Sequence, residues 1–221
     1  MSQIAIFLVG DSTLSSYDSS RAPRAGWGQV LEGLLNNCVK VHNHAASGRS
    51  SKSFINEGRL DAIDRSISPG DYLLIQFGHN DKHLDEKRFT EPYSTFQSYL
   101  QQYIDTARAH QAQPVLITPV QCRSFDGDGV FQESHGDYPD AMRQLASANN
   151  VPLIDLTAKS RILLERFGAE RSKQLFLWFQ PGEHENYPEG VQDDTHFSDY
   201  GAKEIAKLII EGCKELKLPV T

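Results

Sequence analysis

Five apolar runs of strand length recur along the chain: IAIFLV (4–9), CVKVHN (38–43), YLLIQF (72–77), PVLITP (114–119) and the weaker VPLIDL (151–156). Runs that are nearly continuous in apolar residues, rather than alternating with polar ones, suit strands buried on both faces. The stretches between them carry helical spacing. In WGQVLEGLLNN, Val30, Leu31, Leu34 and Leu35 recur at intervals of three and four, and YSTFQSYLQQYIDTARAHQ extends the same pattern further. The last helix is the best marked. Ser198 suits an N-cap and Asp199 a first turn, while Ile205, Leu208, Ile209, Cys213 and Leu216 share one face. Lys214 and Lys217 sit where the helix dipole favours cations, and Pro219 closes the element.

Strands alternating with helices predict a parallel sheet covered on both sides. The expected fold is therefore α/β: a three-layer sandwich around a doubly wound, flavodoxin-like sheet of about five strands. With 221 residues, 39% hydrophobic and 23% charged, and with no repeat or linker, the chain is read as a single domain spanning 1–221. Two stretches read as long irregular segments, 120–137 and the aromatic-rich 170–197.

A net charge of −7 without a Lys/Arg-dense block argues against a nucleic-acid partner, because phosphate contacts need a basic patch. The opening MSQIAIFLVG lacks a basic leader and reads as the first strand. No apolar run approaches the ~20 residues that cross a bilayer, so no membrane partner is expected. The three cysteines, Cys38, Cys122 and Cys213, are widely spaced and form no CxxC pair, so the expectation is reduced thiols in a cytoplasmic protein.

In an open α/β sheet, ligands bind at the carboxyl ends of the strands. That rule selects Gly10-Asp11-Ser12, Ala45-Ala46-Ser47-Gly48 and Gly78-His79-Asn80-Asp81. Ser12 stands directly after the first strand, where it suits either a nucleophile or a turn cap. A serine nucleophile needs a base. His196 is favoured among eight histidines because Asp193-Asp194-Thr195-His196 places an acid three residues ahead of it, although a solvated loop histidine has the same local sequence. A developing oxyanion needs donors. Gly48 offers a bare backbone N–H and Asn80 a side-chain amide, and each equally suits a turn.

Taken together, GDSTLSSY, NHAASGRS, QFGHND and DDTHFSDYGA resemble the four blocks of the SGNH hydrolase superfamily, in order, from residue 7 to residue 202. The resemblance implies Ser12 as nucleophile and first oxyanion donor, Gly48 and Asn80 as the other donors, and His196 as general base oriented by Asp193. Asp194 stays open as the alternative partner. The following GWGQ, SGRSSKSF, GHND and PGEHENYPEGVQ are most similar to the rhamnogalacturonan acetylesterase branch. That branch implies a serine esterase that deacetylates pectic oligosaccharides, with an acetylated oligosaccharide as partner and no metal or cofactor.

Arg49 and His79 flank the block residues and are candidate contacts for sugar hydroxyls or a uronate carboxylate. Trp178 is the candidate for stacking on a sugar ring, chosen from Phe176, Trp178, Phe179 and Tyr187. Asp126-Gly127-Asp128-Gly129 reads as a polar turn lacking the ligands of a calcium loop. His42 and His44 read as structural or near-site histidines. Two other functions fit the same blocks: a different SGNH activity, such as a broad carbohydrate acetylesterase, lipid esterase, thioesterase or lysophospholipase, and a non-catalytic carbohydrate-binding protein.

Overall fold

The computed structural model describes residues 4–36 and 38–219. The first three residues of MSQIAIFLVG, Asn37 at the end of WGQVLEGLLNN and the two terminal residues lie outside them. The apolar runs form β1 (Ile4–Gly10), β2 (Val39–Asn43), β3 (Tyr72–Gln76), β4 (Gln113–Ile117) and β5 (Leu153–Ile154). These strands pair in the order β2-β1-β3-β4-β5, and every pairing is parallel. This is the flavodoxin-like order of a doubly wound sheet.

Successive residues of the central strands feed opposite faces. Ile6, Leu8, Leu74, Val115, Ile117 and Ile154 pack with α1 (Trp27–Leu31) and the two helices that follow β5, α6 (Leu156–Arg171) and α7 (Asp199–Glu215). Phe7, Val9, Leu73, Ile75 and Leu116 pack on the other side. There they meet α2 (Ser51–Asn56), α3 (Leu60–Asp64), α4 (Gln97–Ala109) and α5 (Tyr138–Asn149). Each fully buried large apolar side chain contributes roughly 1.5–3 kcal/mol of transfer free energy, and both layers are filled by such residues.

The expected elements shift where tertiary position overrides local pattern. CVKVHN is an edge strand whose residues alternate between buried and open, not a strand covered on both faces. VPLIDL contributes only two paired residues. WGQVLEGLLNN divides into α1 and a 3-10 turn at Glu32–Leu34, where Leu34 is exposed. The long helix before β4 is regular only from Gln97, after a wide π-type turn at Pro92–Phe96.

α7 matches its sequence reading. Ser198 Oγ accepts a hydrogen bond from Gly201 N–H at 3.1 Å, and Ile205, Ile209 and Cys213 are buried. Leu208 and Leu216 pack against the edge of that core. Gly201 is required there by close approach, because a Cβ on it would lie 1.8 Å from the Leu175 carbonyl oxygen.

The 170–197 segment is not irregular. It folds a second, antiparallel sheet from β6 (Phe176–Phe179) and β7 (Val191–Phe197). The polar composition of VQDDTHF concealed β7, since neither face of that strand is uniformly apolar. In 120–137, Phe125 pairs with Phe131 across a tight turn. Asp126 Oδ1 accepts from Asp128 N–H and Val130 N–H there, as a polar turn requires.

Candidate active site

β1 ends at Gly10 and delivers Ser12 to the carboxyl rim of the sheet, in a loop whose conformation is over-determined. Asp11 Oδ1 accepts from the backbone N–H and hydroxyl of Thr13 at 2.9 and 2.8 Å. Gln76 Nε2 donates to Thr13 Oγ1, and Trp27 Nε1 donates to Gln76 Oε1 at 2.9 Å. Tyr17 Oη donates to the Ser12 carbonyl at 2.7 Å and itself accepts from Arg24 at 3.0 Å. Burial pushes the Asp11 carboxyl up to about 6, despite the two Thr13 donors.

His196 comes from the far end of the chain. On β7, Asp193 pairs with Leu177, but the next residue of β6, Phe176, pairs with Phe197. Asp194, Thr195 and His196 are therefore displaced from the ladder as a bulge, which aims the imidazole at the rim. The Ser12 hydroxyl donates to His196 Nε2 at 3.0 Å, and His196 Nδ1 donates to Asp193 Oδ2 at 2.7 Å. Asp193 Oδ1 accepts from the backbone N–H groups of Thr195 and His196 at 2.8 and 2.9 Å. Burial raises the Asp193 carboxyl, but the His196 ring and these two amides outweigh it and hold the group down at about 2. It is ionised at neutral pH.

The two remaining blocks converge beside Ser12. Ala46 N–H donates to the Gly10 carbonyl at 3.0 Å, tying the Gly48 turn to the end of β1. Gly48 has φ of +79°, a left-handed conformation that favours glycine. Asn80 Nδ2 donates to the Arg49 carbonyl at 3.1 Å, which fixes the amide orientation and leaves its second N–H to face elsewhere. Ser12 and Asn80 are both at least nine-tenths buried.

Ser12, His79, Asn80, Lys82, His83, Cys122, Asp193, Thr195 and His196 line one cleft of about 320 Å³. Sequence reading missed Lys82 and His83, although they directly follow the GHND block. Asp81 belongs to the rim segment Gly78–Asp81 selected from the sequence, which assigned it no role; its buried carboxylate accepts from Ser51 N–H and Oγ, Gly78 N–H and Thr90 Oγ1. Asp81 thereby joins the second block to the third. Burial pushes its carboxyl up to about 7 against these donors.

The three candidate substrate contacts separate. His79 lines the cleft, and burial, reinforced by Lys82, pushes its imidazole down to about 3. Arg49 lies beside the site, but its guanidinium is engaged by Glu57 at 2.9 Å and by the Ser47 carbonyl at 2.7 Å. Trp178 is outside the cleft lining. Its Nε1 donates to Asp194 at 2.9 Å, and Arg123 and Lys173 lie 4.9 and 4.7 Å from its ring centroid. The other aromatics are packed too: Phe176 against Phe197, and Phe179 against Tyr187. His42 and His44 stack on Phe7 with centroids 4.9 and 5.8 Å apart. No helix among the described residues is long and apolar enough to cross a membrane.

The chain has relatives among known proteins. A model of the GDSL-like lipase/acylhydrolase family matches residues 6–209. The chain is 54% identical over 217 residues to the rhamnogalacturonan acetylesterase RhgT of Bacillus subtilis, covering 98% of this chain and 92% of that one. It is 45% identical, over 98% and 95% of the two chains, to the probable rhamnogalacturonan acetylesterase YesY of the same organism. The crystal structure of Bacillus subtilis YxiM superposes with a TM-score of 0.84 at 28% identity. That superposition covers 99% of this chain and 58% of the longer YxiM chain. A lipase/acylhydrolase from Enterococcus faecalis shares the fold, with a TM-score of 0.61 at 19% identity over 99% and 97% of the chains.

Proposed function

The chain belongs to the GDSL-like lipase/acylhydrolase family, and within it we propose that residues 1–221 act as a single-domain rhamnogalacturonan acetylesterase. The observation that carries the chemistry is the unbroken relay Ser12 Oγ–His196 Nε2 at 3.0 Å and His196 Nδ1–Asp193 Oδ2 at 2.7 Å. The substrate reading is supported by likeness to RhgT and YesY over nearly the whole of each chain. The cleft also suits a uronate-containing ligand. Lys82 brings a cation to it, and among the described lining residues the one carboxylate, Asp193, is already committed to His196.

Ser12 attacks the acetyl carbonyl as its proton passes to His196 Nε2, and the imidazolium formed is held by the ionised Asp193. The carbonyl oxygen becomes negative within reach of the Ser12 and Gly48 backbone N–H groups and the free N–H of Asn80. Each such donor contributes roughly 3 kcal/mol to transition-state stabilisation. His196 then protonates the departing sugar hydroxyl. A water, deprotonated by the same Nε2, attacks the acetyl-Ser12 ester, and His196 returns that proton to Ser12 Oγ as acetate leaves. The protein side chains supply every proton transfer in this cycle.

We place the protein in the cytoplasm, acting on short acetylated oligosaccharides, a setting compatible with its free thiols at Cys38, Cys122 and Cys213. The deciding experiment measures acetate release from acetylated rhamnogalacturonan fragments, acetylated xylan and an acetylated cephalosporin. A clear preference for the first is expected and should vanish in Ser12→Ala, with the fold checked by circular dichroism. Equal rates on all three would reduce the reading to a broad acetylesterase. Rates that climb with acyl-chain length would replace it with a lipid esterase.

A further inference from the structure

Three side chains with metal-binding chemistry meet beside the cleft, which His79 and Cys122 line while the buried His135 packs against His79, and ester hydrolysis needs none of them as a ligand. His79 follows β3, while Cys122 and His135 belong to the segment after β4. One ring nitrogen from each histidine and the Cys122 Sγ all lie within 4.8 Å of one another. His79 Nδ1 is 3.9 Å from Cys122 Sγ, and the two imidazole centroids are 4.3 Å apart with the rings inclined at 67°. Both histidines are more than nine-tenths buried.

The hydrogen bonding around them is incomplete. His135 Nε2 lies 2.7 Å from the Val120 carbonyl, an acceptor, so Nε2 carries the proton and Nδ1 holds the lone pair. Among the described residues, that buried Nδ1 has no hydrogen-bond partner, and neither has His79 Nε2. Native interiors seldom leave such atoms unsatisfied, and an ion that enters the site is a recognised reason for it. The Val120 carbonyl serves as the outer partner that commonly orients a ligating imidazole.

We propose that His79, Cys122 and His135 form a site for one borderline-soft divalent ion, Zn²⁺ being the best match, and that filling it inhibits the esterase. Two imidazoles and a thiolate are the donors such an ion prefers, and three protein ligands leave a fourth position open. With bonds of about 2.0–2.3 Å, a tetrahedral ion holds two nitrogens and a sulfur roughly 3.3–3.6 Å apart. The cluster must therefore contract around the ion, drawing on groups that also shape the active site. His79 is the residue next to Asn80, and Cys122 accepts from Thr195 Oγ1 at 3.7 Å, next to His196. Contraction thus displaces the Asn80 amide and the histidine-bearing bulge together.

The proton balance is simple. Each imidazole ligates as the neutral ring through its lone pair, and the Cys122 thiol ligates as the thiolate. Forming two Zn–N bonds and one Zn–S bond therefore expels one proton, from the thiol to solvent, and binding tightens as pH rises.

The test uses the full chain, stripped of metal, with Co²⁺ as a spectroscopic probe and Zn²⁺ in titration calorimetry. One ion per chain is expected, together with a thiolate-to-Co²⁺ charge-transfer band. The band should disappear in Cys122→Ser and persist in Cys38→Ser. His135→Phe, which keeps a ring in the core, should weaken Zn²⁺ binding about tenfold or more and shift the inhibition curve equally. Thermal melts establish that each variant folds. No band in the wild-type protein, or binding and inhibition unchanged in folded His135→Phe, overturns the proposal, as does a bound ion that leaves the rate untouched. The inhibitory half rests on the esterase reading. The Co²⁺ band is read without substrate, so failure of the metal site is distinguishable from failure of that reading.

Discussion

Asp193 and Asp194 are chain neighbours whose carboxylates serve different partners. Asp193 holds His196 Nδ1 at 2.7 Å, while Asp194 takes Arg123 at 2.7 Å and the Trp178 indole at 2.9 Å. The Arg123 side chain is only 10% exposed, so its ion pair with Asp194 anchors the base of the bulge. One aspartate orients the imidazole and the other secures the strand that carries it.

Substitution should separate the two roles. Asp193→Asn presents an amide to Nδ1, favours the wrong tautomer and is expected to lower kcat by about 10⁴ with the fold intact. Asp194→Asn should cost about 1–2 kcal/mol of stability and less than about tenfold in kcat. Steady-state kinetics alongside urea unfolding would check both. A larger kcat loss in Asp194→Asn would reverse the assignment.

In the proposed mechanism, Asn80 gives the oxyanion the amide hydrogen that the Arg49 carbonyl does not engage. Asn80→Ala should therefore reduce kcat by about 10²–10³ with little change in KM, since a transition-state contact is lost. Gly48→Ala tests the same hole through the backbone. An added Cβ meets no atom within 4 Å, but φ of +79° strains any side chain. The expected cost is about 1 kcal/mol of stability, and kcat falls only if the turn relaxes away from that conformation.

Asp81 makes a prediction about pH. Its carboxyl is raised by burial to about 7, against 3.8 in an exposed chain. Between those values the folded protein holds a proton that the unfolded chain has released, so this group makes stability fall as pH rises through that window. Urea unfolding at pH 5 and pH 8 should show the decline in the wild-type protein and a flatter dependence in Asp81→Asn. Parallel slopes in the two proteins would mean that Asp81 is ionised throughout.

Lys82 provides the test of substrate charge. Its Nζ donates to the Ser134 carbonyl at 2.6 Å, holding the ammonium at the cleft. Lys82→Gln should raise KM several-fold for acetylated rhamnogalacturonan fragments and leave a neutral aryl acetate nearly unaffected. Equal losses on both substrates would point to a structural role for the ammonium.

Much of this architecture was legible from local pattern. Strand runs such as YLLIQF and the stripe from Ile205 to Cys213 declare themselves because burial on a sheet or helix face imposes a short repeat on the chain. The rim positions of Ser12, Gly48 and Asn80 followed from strand ends alone. Where the reading failed, the reason was long-range pairing. VQDDTHF is polar enough to pass for a loop, and only its antiparallel register with Phe176–Phe179 makes it a strand. Trp178 looked free to stack on a sugar because the sequence does not show that Asp194, Arg123 and Lys173 occupy it. Arg49 likewise meets Glu57 only once α2 is folded.

The sequence by itself therefore determined the alternation of strands and helices, the carboxyl-edge location of the site and the residue types gathered there. These depend on side-chain chemistry at fixed short spacings, which the chain carries wherever it goes. Only the tertiary structure decided which aspartate meets His196, which cations and aromatics are already committed, and that His79, Cys122 and His135 meet beside the cleft. Those outcomes depend on the bulge between β6 and β7 and on the path of the segment after β4. Both are set by contacts between residues far apart in the chain, to which no local period corresponds.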